Sequence, residues 1–306
     1  ASTTRHNHRF HRRSTFFLFQ PPSGAPVDQR SHTHRDPRVG MREPTADLAA
    51  VAGEAVRASG DYLQEAFRNG RVDGEYDSRD VKAAADREAQ RRIRAAIESH
   101  YPDHAFDGEE SDTPTAVGAR ADGIRWVVDP LDGTNNFASG LPKFAAAAAA
   151  CRDGEPVAAA IYEPLVDDLY LAERGGGTRL NGDPLRTGSS LPLAHGTVAL
   201  VVGLDVATDP AQAGRVEALE AALRDCCKRV VTTWAPCVDW GLLARGSIEG
   251  VVAVRPGIYE QAPGSLVAAE SGVEAVDTLA AEGLYAAAPT REVADRLHGV
   301  AAGAEA

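Results

Sequence analysis

Asp129 and Asp132 stand three residues apart in the stretch WVVDPLDGTNNF, residues 126–137, on either side of Pro130 at the end of an apolar run. Carboxylates at this spacing in a turn can converge on one point, with the Leu131 carbonyl between them. Such hard oxygen donors suit Mg²⁺, which takes a few carboxylates and fills its remaining positions with water and substrate phosphate. Gly133, Thr134, Asn135 and Asn136 then read as the first turn of a helix, whose free N–H groups and positive dipole end would receive a phosphate. A simple Asp-Gly turn, with Asp132 capping that helix, accounts for Asp132 and leaves Asp129 unexplained.

Other acids sit elsewhere along the chain. Glu109 and Glu110, in DGEES, follow a short strand after Pro102, and Asp86, in KAAADREAQ, lies near the start of a helix. A solvated loop would explain the first pair and helix capping the third. Taken with Asp129 and Asp132, they suggest a two-metal site for phosphate esters. Unaided phosphate monoester hydrolysis is extremely slow, so a catalyst must neutralise the phosphoryl charge and supply a nucleophile. One metal ion acidifies a water and a second stabilises the leaving oxygen. No protein nucleophile is needed, and no Cys or Ser stands beside a convincing base.

The elements that must position these groups follow from periodicity and punctuation. Thr45 is placed to cap a helix with Leu48, Val51, Ala55, Tyr62 and Ala66 on one face, ending near Asn69-Gly70. Residues 70–80 read as a loop or hairpin tip. A second helix spans about 85–100 with Ile93 and Ile97 inward, and 125–128 form a strand into the double-aspartate motif. From Lys143 to Leu185, short apolar runs alternate with turn signals at Asp153-Gly154, Asp167-Asp168, Gly175–Gly177 and Asn181-Gly182, an antiparallel meander. Ala145–Ala150 reads as a buried small-residue strand. Strands are expected at 196–203 and 250–254, and helices at 209–225, 235–245 and 262–271, the last stopped by Gly272. Strands mixed with helices on their faces indicate layered α and β structure, not a plain βαβ repeat.

Composition narrows the partners. The 306 residues carry a net charge of −12. Residues 1–40 hold seven arginines against two aspartates, so the remaining body carries −17. That body argues against nucleic acid and fits a salt-rich cytoplasm, suggesting a halophilic archaeal source. The basic arm reads as a disordered or non-native extension, with a polyanion-binding arm and a true start at Met41 as alternatives. No apolar run is long enough for a membrane span. The four cysteines, Cys151, Cys226, Cys227 and Cys237, show no zinc spacing and read as reduced buried thiols.

DGEES, WVVDPLDGTNNF and YLAERGGGTRLNGDPL occur in the order and spacing of the inositol monophosphatase family, Mg²⁺-dependent, lithium-sensitive phosphatases related to fructose-1,6-bisphosphatases. The resemblance is strong over about 45–203 and traceable to 275. It implies an α+β fold, a layered α-β-α-β-α sandwich, with halves 41–190 and 191–306 and the metal cluster between them. It implies Glu109, Asp129 and the Leu131 carbonyl at one Mg²⁺, and Asp129 with Asp132 at another, in a site of about two or three ions. Asp86 and Thr134 resemble the pair that orients and deprotonates the attacking water, with Glu110 behind them. The Gly133 and Thr134 amides, with Asn135, would hold phosphate oxygens. The expected activity is hydrolysis of a small phosphorylated metabolite by a cytoplasmic homodimer: an inositol phosphate, fructose-1,6-bisphosphate or adenosine 3′,5′-bisphosphate. The alternative is a catalytically weakened member that binds a phosphorylated ligand or regulates a partner.

Departures from the family pattern lie downstream. Tyr259-Glu260 stands where members carry Trp-Asp, and the longer glutamate arm, by about 1.3 Å, would have to satisfy the tight octahedral geometry of Mg²⁺. Pro263 is expected in a first helical turn. Trp234 and Pro236 occupy a segment that is usually small and polar. Ala253 stands where many members place an acid against polyol hydroxyls.

Overall fold

The structure, a computed structural model, describes residues 43–70, 74–76, 81–111, 123–188 and 191–305. The basic arm, Met41 and residues 77–80 lie outside the described residues.

The chain opens with α1 (Thr45–Arg68), the hairpin β1 (Gly74–Tyr76) and β2 (Val81–Ala83), then α2 (Ala84–His100). Thr45 does not cap α1; Pro44 holds the cap position and no side chain bonds the end, so proline's fixed φ starts the helix. α1 buries Leu48, Val51, Ala52, Ala55, Val56 and Leu63, the three-to-four spacing of one helical face. Next come β3 (Ala105–Gly108), β4 (Ile124–Asp132), the short α3 (Thr134–Ser139), and the meander β5 (Ala145–Arg152), β6 (Glu155–Glu163), β7 (Asp168–Glu173), β8 (Gly177–Leu180) and β9 (Asp183–Leu185). These seven strands form one sheet in chain order, antiparallel except for the parallel β3–β4 pair.

The second part contributes β10 (Thr197–Val202), α4 (Leu204–Ala207), α5 (Ala213–Cys226), β11 (Arg229–Val231), α6 (Pro236–Ala244), β12 (Gly250–Val254) and α7 (Ile258–Ser271). It ends with β13 (Glu274–Thr278), α8 (Leu279–Glu282), β14 (Leu284–Ala288) and α9 (Arg291–Glu305). Its sheet has the order β11-β10-β12-β14-β13, parallel among the first three strands and antiparallel beyond.

Three apolar clusters define five layers. α1 and α2 cover one face of the seven-stranded sheet through Ile93, Trp126, Val128 and the even-numbered alanines of β5. The odd-numbered alanines face α6, α7 and the inner face of the five-stranded sheet. α5 and α9 close the outer face of that second sheet. The α-β-α-β-α sandwich expected from the sequence is therefore the observed fold. β5 is buried on both faces, which is why it is built of alanine: larger side chains would hold the flanking helices off.

α7 begins at Ile258, four residues before the expected start, because Glu260 folds back onto the Gly257 N–H and closes the first turn. Pro263 consequently lies inside the helix and not in its first turn, where its missing N–H removes the bond to the Tyr259 carbonyl. Among the described residues no helix is long and apolar enough to cross a membrane.

Candidate active site

Side chains alternate along a strand, so residues three apart should point to opposite faces. Asp129 and Asp132 do not. Asp129 pairs with Ala147 and Asp132 with Ala145, so Pro130 and Leu131 together oppose the single intervening residue of β5. This bulge absorbs one residue and turns both carboxylates to the face shared with Val127, Ala145 and Ala147, between the two sheets. Pro130 suits the position, having no N–H to give the ladder. Asp129 Oδ1 accepts the Leu131 N–H at 3.1 Å, which fixes its rotamer.

Asp132 is not a cap for α3; Gly133 holds that position at φ +89°. The carboxylate reaches across the layers instead, where Oδ2 accepts the Cys237 N–H at 2.8 Å. That N–H is one of the unpaired donors in the first turn of α6, so Asp132 caps a helix 105 residues away in sequence. Asn136 ties the same junction, donating to the Lys143 carbonyl at 2.8 Å and to the Thr233 carbonyl at 2.7 Å. Asn135 is half-buried and lines the cavity.

The Thr134 hydroxyl lies 3.0 Å from Asp86 Oδ1 and 3.0 Å from the Leu131 carbonyl, with one proton to offer the two acceptors. Asp86 is buried in the first turn of α2. Glu109 extends the β3–β4 pairing through its N–H to the Val128 carbonyl at 3.1 Å, and the Glu110 N–H is held by Gln90 Oε1 at 3.0 Å. Glu260 is held by its bond to the Gly257 N–H at 2.7 Å. Tyr259, its neighbour in the chain, donates to Asp107 Oδ1 at 3.1 Å while Arg125 pairs with the other oxygen of that carboxylate.

A cavity of about 770 Å³ gathers Glu109, Asp129, Leu131, Asp132, Gly133, Thr134, Asn135 and Glu260 on its wall. Asp86 and Glu110 stand behind it, Asp86 reaching it through Thr134. Ala253 does not line it; it is fully buried in β12. Glu109 is open along the cavity mouth, yet its carboxyl is hemmed in by protein. That burial, then the charges of Glu260, Glu110 and Asp86, push it up to about 8 against a hydrogen bond to Asp129. Burial and then Glu109, Asp132 and Glu260 hold Asp129 well above the usual carboxylate range. Asp132 is raised by burial and then Glu260, opposed by the Cys237 N–H. Glu260 is raised by burial, opposed by its own N–H and that of Gly257. Among the described residues no Lys, Arg or His lines this cavity. The four acids crowd together with no cation among the described lining residues, and their donors are oxygens, so the set fits a hard dication.

Cys237 is the residue that sequence reasoning passed over. Its Sγ and carboxylate oxygens of Asp129 and Asp132 all lie within 4.8 Å of one another. Burial and then those two acids push the thiol well above its usual range, so it stands there as a neutral group. The four cysteines are free and buried, as expected. Asp239, two residues on, was also unforeseen. It is buried, accepts the Thr233 hydroxyl at 2.8 Å, and is pushed up to about 7 by burial, opposed by that bond and by Lys143.

The folded form therefore holds the Asp239 proton more tightly than the unfolded chain does. Its favourable contribution is complete below about pH 4 and is lost as pH rises to about 7. Asp239→Asn removes that loss. Its stability relative to the parent is expected to rise between pH 5 and pH 8, by on the order of a few kcal/mol, read from denaturant melts at the two pH values.

The sequence model of the inositol monophosphatase family matches residues 45–303. The chain belongs to this family. Inositol-1-monophosphatase of Rhizobium meliloti is 43% identical over 120 residues, 39% of this chain and 44% of that protein, so the chain spans less than half the length of this relative. The Nus factor SuhB of Vibrio cholerae is 28% identical over 229 residues, 74% of this chain and 84% of that one. The crystal structure of the extragenic suppressor protein suhB from Bartonella henselae superposes with a TM-score of 0.75 at 24% identity, covering 83% of this chain and 98% of that chain. That likeness establishes the fold.

Proposed function

We propose that the chain is a Mg²⁺-dependent phosphomonoesterase acting on a small phosphorylated metabolite. The observation that carries this reading is the bulge in β4, which brings Asp129 and Asp132 to one side beside Glu109 and Glu260 in a cavity with no described cationic side chain. Glu109, Asp129, Asp132, the Leu131 carbonyl and Glu260 would hold about two or three Mg²⁺ ions. When bound, Mg²⁺ supplies countercharge to the phosphate and lowers the pKa of a water.

The chain's own groups do the rest. Gly133, Thr134 and Asn135 begin a helix whose first amides have no helical acceptor and suit phosphate oxygens. Thr134 takes a proton from the attacking water at Oγ1 and passes its own to Asp86 Oδ1, 3.0 Å away. Glu110 supports this arrangement from behind through its charge on Glu109. The Arg125–Asp107–Tyr259 chain of contacts sets where α7, and hence Glu260, meets β3 and β4.

Phosphate release from myo-inositol 1-phosphate, fructose-1,6-bisphosphate and adenosine 3′,5′-bisphosphate, with Mg²⁺ and with chelator, tests the reading. Mg²⁺-dependent release from at least one ester is expected; a protein that binds Mg²⁺ and releases phosphate from none is not this enzyme. Glu260→Asp shortens the arm that now spans from α7 to the acid cluster. The apparent Mg²⁺ affinity is expected to change by about tenfold, measured by metal titration of activity; an unaltered value removes Glu260 from the ligand set.

The SuhB relative, named a Nus factor and matched over 74% of this chain, favours a second reading as a regulator of a partner. The two separate on Asp129→Asn, which would end hydrolysis and leave a regulatory surface intact.

A further inference from the structure

The cavity extends well past the acid cluster. Its far wall is built by Val202 at the end of β10, Leu204 and Val206 of α4, Val216 of α5 and Trp234 ahead of α6. Leu204 is 46% exposed and Trp234 47%, although both are large and apolar. Trp234 also sits at φ +57°, a left-handed backbone that disfavours a bulky L residue. Its neighbours impose that conformation. The Thr233 carbonyl is bonded to Asn136, the Thr233 hydroxyl to Asp239, and Pro236 fixes the chain two residues on. The indole is thus held at the wall by the same contacts that lock the two halves of the site together.

The charge on this wall runs in one direction. Its ionisable side chains are Asp239, Glu217 and Glu220, the last paired with Arg224. Arg215 and Arg255 line a separate cavity of about 150 Å³ that shares only Val206 and Val216 with this one, and Arg255 is paired with Asp205 at 3.0 Å. Among the described residues, a second phosphate on the substrate would meet carboxylates and no lining cation. A polyol would find acceptors at Glu217, Glu220, Asp239 and Thr232, but its remaining hydroxyls would face Val202, Leu204, Val206 and the Trp234 indole, where they gain no partner.

Resting on the phosphomonoesterase reading above, we infer that the substrate is a monophosphate ester of an alcohol bearing an aromatic ring, with no second anionic group. Its phosphate lies at the acid cluster, and the ring packs on Trp234 and Leu204. An apolar pocket of this kind discriminates by about ten- to a hundredfold.

The test compares 2-(2-naphthyl)ethyl phosphate with myo-inositol 1-phosphate and fructose-1,6-bisphosphate. The first is an alkyl ester, so an acidic leaving group does not favour it. Its kcat/KM is expected to exceed the other two by at least about tenfold. Trp234→Asn, which tolerates the positive φ, and the surface change Leu204→Ser should each raise KM for the naphthyl ester several-fold more than for glycerol 2-phosphate. Equal or better turnover of either polyol ester, or the same loss on both test esters in the variants, overturns the inference. If no ester is hydrolysed, the phosphatase reading fails, and calorimetric binding in Mg²⁺ decides the pocket separately. Tighter binding of the naphthyl ester than of inositol 1-phosphate, weakened in both variants, sustains it; equal binding overturns it.

Discussion

Asp129→Asn is expected to lower phosphate release by about a thousandfold or more and, in chelator, to raise the melting temperature at pH 8. Both effects come from one feature, a buried carboxyl held well above its usual range by burial and by Glu109, Asp132 and Glu260. A raised carboxyl contributes stability at low pH, where it is protonated, and loses it as pH climbs through the folded value. The repulsion in the metal-free parent therefore grows as pH rises. Asparagine keeps the shape, and its Oδ1 can still accept the Leu131 N–H, so little packing is lost. The gap should narrow at pH 5, where the raised acids carry less charge. Adding Mg²⁺ should stabilise the parent and leave the variant nearly unmoved. Thermal melts in the four combinations of pH and metal check this. A variant that is less stable in chelator at pH 8 would mean that Asp129 is a structural acid.

Gly133→Ala is expected to be the most damaging small substitution in the motif. At φ +89° an L residue costs about 1–2 kcal/mol. The added Cβ would also stand 2.9 Å from the Lys143 carbonyl and 3.0 Å from the Ala235 Cβ, a backbone atom and a side chain with no room to retreat. Overpacking of that kind adds about 1–3 kcal/mol. Strain relieved by moving residue 133 displaces Asp132 and Thr134 on either side, and a shift of about 1 Å at reacting groups costs about a hundredfold in rate. Gly140→Ala is the matched comparison: its φ is +75° and nothing lies within 4 Å of the new atom, so it should show the backbone cost alone. Denaturant melts and kcat/KM on both variants separate the two contributions.

The layers were legible in the sequence because most elements there obey local rules. The turns at Asp153-Gly154 and Asn181-Gly182 take the positive φ that their residues permit, and the face of α1 follows its spacing. Glu109, Asp129, Asp132 and Glu260 were legible as acids in motifs, and the cavity brings those four together. What local pattern does not contain is the partner across the layers. Asp132 was read as a metal ligand beside Asp129 or as a cap for the helix that follows it; the helix its oxygen caps is α6. Cys237 and Asp239 belong to the site through that same long-range contact, and nothing in their spacing from Asp129 announces it. Ala253 was placed at the cavity by correspondence alone; its strand points it into the core. Asn136 looked like one more residue of a first helical turn, and its two carbonyl acceptors, one of them 97 residues away, are a product of the folded junction.

Mg²⁺ binding decides whether the crowded acids form a cation site. Burial and the charges of Glu260, Glu110 and Asp86 raise Glu109, and its neighbours Asp129 and Asp132 are raised with it, so a dication that binds among them displaces protons. Calorimetric titration of Mg²⁺ at pH 7, in two buffers of different ionisation enthalpy, reads the expulsion directly. The prediction is saturable binding whose observed heat differs between the buffers, with the buffer-dependent part lost or sharply reduced in Asp129→Asn. No saturable binding, or a heat that is the same in both buffers and unaffected by the substitution, would contradict it.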